Sequence, residues 1–462
     1  MNPPLSPTFL DRLRELLGDR LSTSEAVRLQ HGRDESIFQA MPPQAVAWPT
    51  STEEVVAVVR LCREHGVPIT PYGAGSSLEG HTLAVRGGLT LNLQRMERIV
   101  ALNPEDLTAT LQPGVTRKAL NAALRDQGLF FPIDPGADAT IGGMCATRAS
   151  GTNAVRYGTM RENVVNLRVV TPDGEVVDTA RRARKSAAGY DLTRLFVGSE
   201  GTLGVIVEAT VRLHPLPEHV MAAVCAFPDV HSAIDTVVQV IQMGVPVARC
   251  EFVDAVAIRA INAFSQLALP ESPHLFFEFH GSQAGVKEQV EVVESIVADH
   301  GGQDFQWAAT PEARSRLWEA RHNVYFAALQ LRPGCRSIVT DACVPISRLA
   351  DCLVQTAEDL RESGLVAPMV GHVGDGNFHV QMLVDDTAPH EVRAAEALNE
   401  RLVRRALSMD GTCTGEHGIG LHKQGFLIEE VGPAGVDLMR RIKVALDPAG
   451  LMNPGKVFAP HA

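Results

Sequence analysis

Histidine, glutamate and glycine are the residues whose spacing in this chain could do chemistry. His372 and His379 flank a glycine turn in Gly371-His-Val-Gly-Asp-Gly-Asn-Phe-His379, and Glu416 stands beside His417 in Gly415-Glu-His-Gly-Ile-Gly420. Neutral imidazoles and a carboxylate are donors that suit Zn²⁺ or Mn²⁺. Judged by residue type alone, such a set drawn from 16 histidines and many glutamates is more often unrelated than convergent. The loop Pro71-Tyr-Gly73-Ala74-Gly75-Ser76-Ser77-Leu-Glu-Gly80-His81 offers a second chemistry, with three glycines, two serines and no Lys or Arg. Successive N–H groups in such a loop form a nest that can hold a pyrophosphate without a cationic side chain. Alone, a solvent turn is the better reading of it. The runs Ile141-Gly142-Gly143-Met144, Ala149-Ser150-Gly151-Thr-Asn153, Arg156-Tyr-Gly158-Thr159 and Gly198-Ser-Glu200-Gly-Thr-Leu-Gly204 change the balance, because a large flat ligand needs backbone it can approach closely.

Other chemistries are excluded by what is missing. There is no G-x-G-x-x-G, which disfavours a nicotinamide cofactor, and no H-E-x-x-H or G-x-S-x-G. Gly450-Leu-Met-Asn-Pro-Gly455-Lys456-Val457 imitates a phosphate-binding loop, but Val457 stands where the magnesium-binding hydroxyl belongs and too little chain follows for a helix.

The elements that must position these residues follow from periodicity. Ser51 and Glu54 read as a capping box opening a helix that Gly66 closes, with Val55, Val58, Val59 and Cys62 on one face. Leu89, Leu91 and Leu93 alternate as in a half-buried strand, and a helix runs from Arg117 to Asp126. Residues 132–158 form a long connection with little periodicity, a length usually reserved for function. A hairpin turns at Pro172-Asp173-Gly174, and a strand runs from Leu203 to Leu213. Beyond Pro215 and Pro217, strands at 222–227, 275–280, 337–344 and 378–384 alternate with helices at 230–243, 286–300, 312–331 and 346–362, which describes a separate α+β layer. At 462 residues the chain predicts two to four folding units. Its net charge of −12 repels polyanions, so no nucleic-acid partner is expected. No apolar stretch approaches the ~20 residues of a membrane span. The start of the sequence lacks the features of a secretory or transit peptide, and no C-x-x-C pair occurs among the eight cysteines. Cytoplasmic placement with reduced thiols is the expectation, peripheral association with a membrane being compatible with it.

Together the glycine runs resemble the flavin-binding domain of the vanillyl-alcohol oxidase and p-cresol methylhydroxylase superfamily. The blocks at 371–379 and 415–420 narrow this to its D-2-hydroxy-acid dehydrogenase branch. Gln112-Pro-Gly-Val-Thr-Arg-Lys-Ala-Leu-Asn121 and Asp134-Pro135-Gly136-Ala-Asp138 are most similar to FAD-dependent D-lactate dehydrogenases. The resemblance runs from about residue 42 to 457. It implies an α+β fold: a two-lobed FAD-binding domain of the p-cresol methylhydroxylase type (1–214), an α+β substrate or cap domain with an antiparallel sheet (215–408), and a C-terminal segment (409–462) returning to the FAD domain. It implies FAD gripped by Pro71, Gly73, Ala74, Gly75, Ser76, Ser77, Gly80 and His81, and by Pro135, Gly136, Asp138, Gly142 and Gly143. Ser150, Gly151, Asn153, Gly158 and Thr159 continue that surface, while Glu200, Gly204 and Ile206 close the site and Asn453 returns to it. Members with covalent flavin can use a histidine near the Ser76 position. This chain has none there, which implies non-covalent FAD.

The resemblance also turns His372, His379 and Glu416 into a divalent metal set, zinc or manganese, and His417 into the catalytic base. Arg321 and Arg336 match positions that hold the substrate carboxylate, although relatives often have Lys in place of Arg336. Tyr325, one helical turn after Arg321, is expected to line the same pocket. The implied reaction is oxidation of a D-2-hydroxy acid, D-lactate above all, to the 2-keto acid. A flavin subunit of a glycolate oxidase and a D-2-hydroxyglutarate dehydrogenase are the same-fold alternatives, and a flavin-binding protein without turnover is the alternative of a different class. With no iron–sulfur cysteines, electrons must leave to an external quinone, cytochrome or electron-transfer flavoprotein. A homodimer is one allowed assembly.

Overall fold

The computed structural model describes residues 3–308 and 310–459. The chain divides into two compact units, residues 1–150, 158–216 and 416–462 in the first and residues 151–157 and 217–415 in the second. The crossing thus falls next to Pro217, the return falls at Glu416 rather than 409, and seven residues expected in the first domain belong to the second.

The first unit holds a four-stranded sheet in the order Leu21–Ser22, Ala45–Ala47, Leu89–Asn92, Ile69–Tyr72, the last three parallel, and a five-stranded antiparallel sheet. The strand Leu89–Asn92 is buried along its whole length, not half-buried, because parallel neighbours flank it on both edges and both of its faces are covered. The helix Thr52–His65 is capped by Ser51, whose hydroxyl accepts from the Glu54 N–H at 3.2 Å, and it ends at Gly66 with φ 64°. The Glu54 carboxylate accepts from the Thr50 N–H, one residue before the cap, and pairs with Arg20. The expected long connection at 132–158 contains a helix, Ile141–Thr147, capped by Thr140. Small residues hid it: Gly142 packs so closely on Pro113 that a Cβ would lie 2.5 Å from the Pro113 Cβ. The C-terminal segment returns beside the strand Ile69–Tyr72, where the Asn453 N–H donates to the Ile69 carbonyl.

The second unit is built on an eight-stranded sheet in which every pairing is antiparallel. Its middle runs His219–Ala226, His274–Gly281, Val247–Val253, Met369–His372, Asn377–Val384. Val253, Ala257, Ile258, Ile261, Phe276 and Trp318 belong to one of its buried clusters. Three strands escape the periodicity reading: Val247–Val253, Gln303–Ala308 and Met369–His372. The expected helix at 312–331 is two, Pro311–His322 and Val324–Gln330, broken at Asn323 (ψ 1°).

Candidate active site

In the second unit, neighbouring central strands turn a polar stripe to one face. Gly371 pairs with Phe252 and His372 with Asn377, so Glu251, His372, Asn377 and His379 share that side by strand alternation. Gly376, at φ 80°, makes the turn between the two histidines; a Cβ there would lie 2.0 Å from the Val344 carbonyl oxygen. The imidazoles of His372 and His379 stand 5.5 Å apart with their planes at 80°. Each has its Nδ1 committed, His372 to Glu251 Oε1 at 2.8 Å and His379 to the Thr340 carbonyl at 3.0 Å. This arrangement places the proton on Nδ1 and makes Nε2 the ligand nitrogen, the usual preparation of a metal-binding histidine. Asn377 donates to Asp341, and so does the Thr414 hydroxyl two residues before Glu416, which opens the other unit. The donor types therefore fit a borderline divalent metal.

Glu251 is fully buried and was not singled out by motif. Its second oxygen accepts from Arg321 Nη2 at 2.5 Å. Burial alone would raise its pKa, but His372 and Arg321 more than offset that and hold the carboxyl below its ordinary value. Arg321 is 6% exposed, and its Nε has no hydrogen-bond partner among the described residues. Arg336 is not brought to this stripe. It lies half-exposed opposite Val384, five residues along the strand from His379, or roughly 17 Å at about 3.4 Å per residue. Its guanidinium faces Asp386 at 3.6 Å. Tyr325 lies beyond the break at Asn323, so it does not follow Arg321 on a continuous helical face. Its carbonyl accepts from Gln381.

In the first unit the base implied by the resemblance, His417, has its Nδ1 3.5 Å from Glu79 Oε1. Glu79 is fully buried and also meets His422 Nδ1 at 2.9 Å and Lys423 Nζ at 2.9 Å. Burial pushes its pKa up, and Lys423 together with the two imidazoles more than reverses that. In the sequence Glu79 is marked only as a lone carboxylate between Leu78 and Gly80 in a loop without cations.

The flavin residues sort into two groups. In the loop, the N–H groups of Gly75, Ser76 and Ser77 donate to no protein acceptor among the described residues, and Gly75 has φ 74°, which fits an anion-holding nest. His81, Glu200 and Asn453 converge from three distant segments: His81 Nε2 is 3.1 Å from Glu200, and the Asn453 amide donates to the carbonyls of both. Glu200 also accepts from the Ile419 and Gly420 N–H groups. Other positions are explained by packing. A Cβ on Gly204 would meet Val169 and the Val170 carbonyl at 2.8 Å, Ile206 lies in the hydrophobic core, and Thr159 caps the short helix Met160–Asn163. Gly136 and Asp138 are exposed. Gly151 and Asn153 belong to the second unit, where Asn153 accepts from Arg249. Lys456 of the false phosphate loop is buried against the Leu83 carbonyl.

Comparison with known proteins places this architecture. An FAD binding domain model matches residues 43–180 and a model of the C-terminal domain of FAD linked oxidases matches residues 216–457, so the chain belongs to the FAD-linked oxidase family and is an FAD-dependent oxidoreductase. The probable mitochondrial D-lactate dehydrogenase of Danio rerio is 55% identical over 96% of this chain and 90% of its own length. The mitochondrial D-lactate dehydrogenase (cytochrome) of Arabidopsis thaliana is 47% identical over 98% of this chain and 80% of that one. Glycolate oxidase subunit GlcD of Bacillus subtilis is 35% identical over 96% and 95%. Among solved structures, substrate-bound p-cresol methylhydroxylase superposes with a TM-score of 0.81 at 19% identity, covering 99% of each chain, which establishes the expected two-domain flavoprotein fold.

Proposed function

We propose that this chain oxidises a D-2-hydroxy acid, D-lactate first, to the corresponding 2-keto acid. The observation that carries the reading is the pairing of two near-orthogonal imidazoles with a buried guanidinium, Arg321, whose Nε meets no acceptor among the described residues. A buried donor left unsatisfied requires an explanation, and a carboxylate is the natural acceptor for it. Relatives named as D-lactate dehydrogenases support the substrate. FAD would supply the acceptor for the hydride leaving C2, and a zinc or manganese ion would make the C2 hydroxyl more acidic. His372 and His379 would offer that ion their Nε2 atoms, and Glu416 is the carboxylate that the family resemblance adds to them. Arg321 orients the substrate carboxylate. His417 takes the hydroxyl proton at Nε2, its Nδ1 being turned to Glu79. His81 has Ser77 Oγ 2.5 Å from its Nδ1 and Glu200 by its Nε2, which supports non-covalent flavin.

The Arabidopsis relative's name makes a cytochrome the first electron acceptor to examine. Among the described residues no helix is long and apolar enough to cross a membrane. Against the cytoplasmic expectation, the mitochondrial names of two relatives make a mitochondrial compartment the competing location.

Anaerobic mixing tests the reaction: D-lactate bleaches the flavin and L-lactate does not, since two anchors and the ring face admit one enantiomer. Glu416→Gln should be metal-poor and partly rescued by excess Mn²⁺ or Zn²⁺. His417→Ala should keep its metal and reduce its flavin about 10²- to 10⁴-fold more slowly. Faster bleaching by glycolate or D-2-hydroxyglutarate would transfer the substrate assignment to that acid. A flavin that no 2-hydroxy acid bleaches would leave a binding protein without turnover.

A further inference from the structure

Glu251 touches both the proposed metal site and the proposed carboxylate site while being open to neither solvent nor substrate. Its side chain is 0% exposed, with His372 Nδ1 at 2.8 Å from one oxygen and Arg321 Nη2 at 2.5 Å from the other. The three groups come from separate elements: the strand Val247–Val253, the strand Met369–His372 and the helix Pro311–His322. We propose that Glu251 is the positioning residue that fixes His372 and Arg321 relative to each other, so that one carboxylate sets the span between the substrate's hydroxyl and carboxylate anchors. This inference rests on the proposed function above.

The chemistry distinguishes it from a plain salt bridge. A buried ion pair is costly to desolvate, and well-packed apolar side chains of similar volume would often serve stability as well or better. An anion shared between a guanidinium and an imidazole does something apolar residues cannot. It holds the His372 proton on Nδ1, raises the basicity of Nε2 and fixes the ring plane. It also engages Nη2 of Arg321, whose Nε has no acceptor among the described residues. The neighbouring strand provides an internal comparison: Glu278, also buried, is bonded to His280 at 2.8 Å and faces Arg249 at 3.6 Å.

The test compares FAD-loaded wild-type protein with Glu251→Gln, Glu251→Asp and Glu278→Gln, measuring Mn²⁺ and Zn²⁺ affinity by equilibrium dialysis and flavin reduction by D-lactate. Glu251→Gln should weaken metal binding about 10- to 100-fold, the usual effect of losing such an outer partner, and raise KM as well as lower kcat. Glu251→Asp keeps the charge but is one methylene short of reaching both partners, so its affinity should fall between the two. Glu278→Gln should bind metal within about twofold of wild type. A role in filling space predicts the reverse order, because Gln is isosteric and Asp is not, and that order would overturn the proposal. Wild-type affinity in Glu251→Gln overturns it too; should that variant not fold, wild-type affinity in Glu251→Asp has the same force. A wild-type protein that binds neither metal removes the metal reading itself, and the positioning role with it, so the two failures are distinguishable.

Discussion

Two buried carboxylates, Glu79 and Glu251, organise the groups to which function is assigned, and each is held ionised by the cations and imidazoles around it. Glu79 faces His417, His422 and Lys423, and the last of these is only 1% exposed. Replacing Glu79 by Gln keeps the volume and removes the carboxylate that Lys423 Nζ meets at 2.9 Å. Breaking a buried pair from one side costs about 3–5 kcal/mol. Urea unfolding of Glu79→Gln should show a loss of that size, and the double variant Glu79→Gln/Lys423→Met should recover a substantial part of it. Equal stability of Glu79→Gln and wild type would mean that the Lys423 charge is satisfied elsewhere.

At the scale of elements, the strand pair carrying His372 and His379 is fixed by register and by the Gly376 turn, and the neighbouring helix Ala255–Ser265 is docked through its cap. Asp254 accepts from the Ala257 N–H at 2.8 Å, and its own N–H donates to the carbonyl of Met369, the first residue of the strand that ends in His372. Burial raises the Asp254 pKa from 3.8 to about 7, despite the N–H groups that favour its ionised form. Between those two values the unfolded chain has lost the proton while the native state keeps it, so this group makes stability fall as pH rises from about 4 to 7. Asp254→Asn retains a capping oxygen and carries no charge. Thermal melts should therefore show the Asn variant equal to wild type at pH 4 and more stable at pH 8. A variant less stable at pH 8 than at pH 4, relative to wild type, would reverse the sign assigned to this carboxyl.

At the scale of the whole molecule, the flavin-binding unit is discontinuous in the chain, assembled from residues 1–150, 158–216 and 416–462. Its buried polar network joins His81, Glu200 and Asn453 across hundreds of residues of sequence. Both ring nitrogens of His81 face protein partners, and position 76 is serine. Acid or heat denaturation should therefore release all yellow colour into the supernatant. Flavin left on the precipitated chain would identify a covalent attachment, with His81 the first residue to examine by peptide mapping.

What the sequence by itself determined is what local patterns and ordered motifs can hold: the flavoprotein family, the Ser51-capped helix and the glycine turn between His372 and His379. Caps and turns follow from short-range sterics, which act within a few residues, while the family, and with it the nomination of Arg321, His372, His379, Glu416 and His417, follows from the resemblance of ordered motifs. Tertiary structure alone decided the rest. Glu251 lies on a strand whose two faces are both covered, so Val-Ala-Arg-Cys-Glu-Phe-Val shows no clean alternation, and its partners are 70 and 121 residues away. Glu79 meets His417, His422 and Lys423, residues more than 300 positions later, and strand register sets Arg336 opposite Val384, five residues along the strand from His379. Pairing between strands and the burial of charge depend on which distant segments meet, and a linear pattern has no term for that.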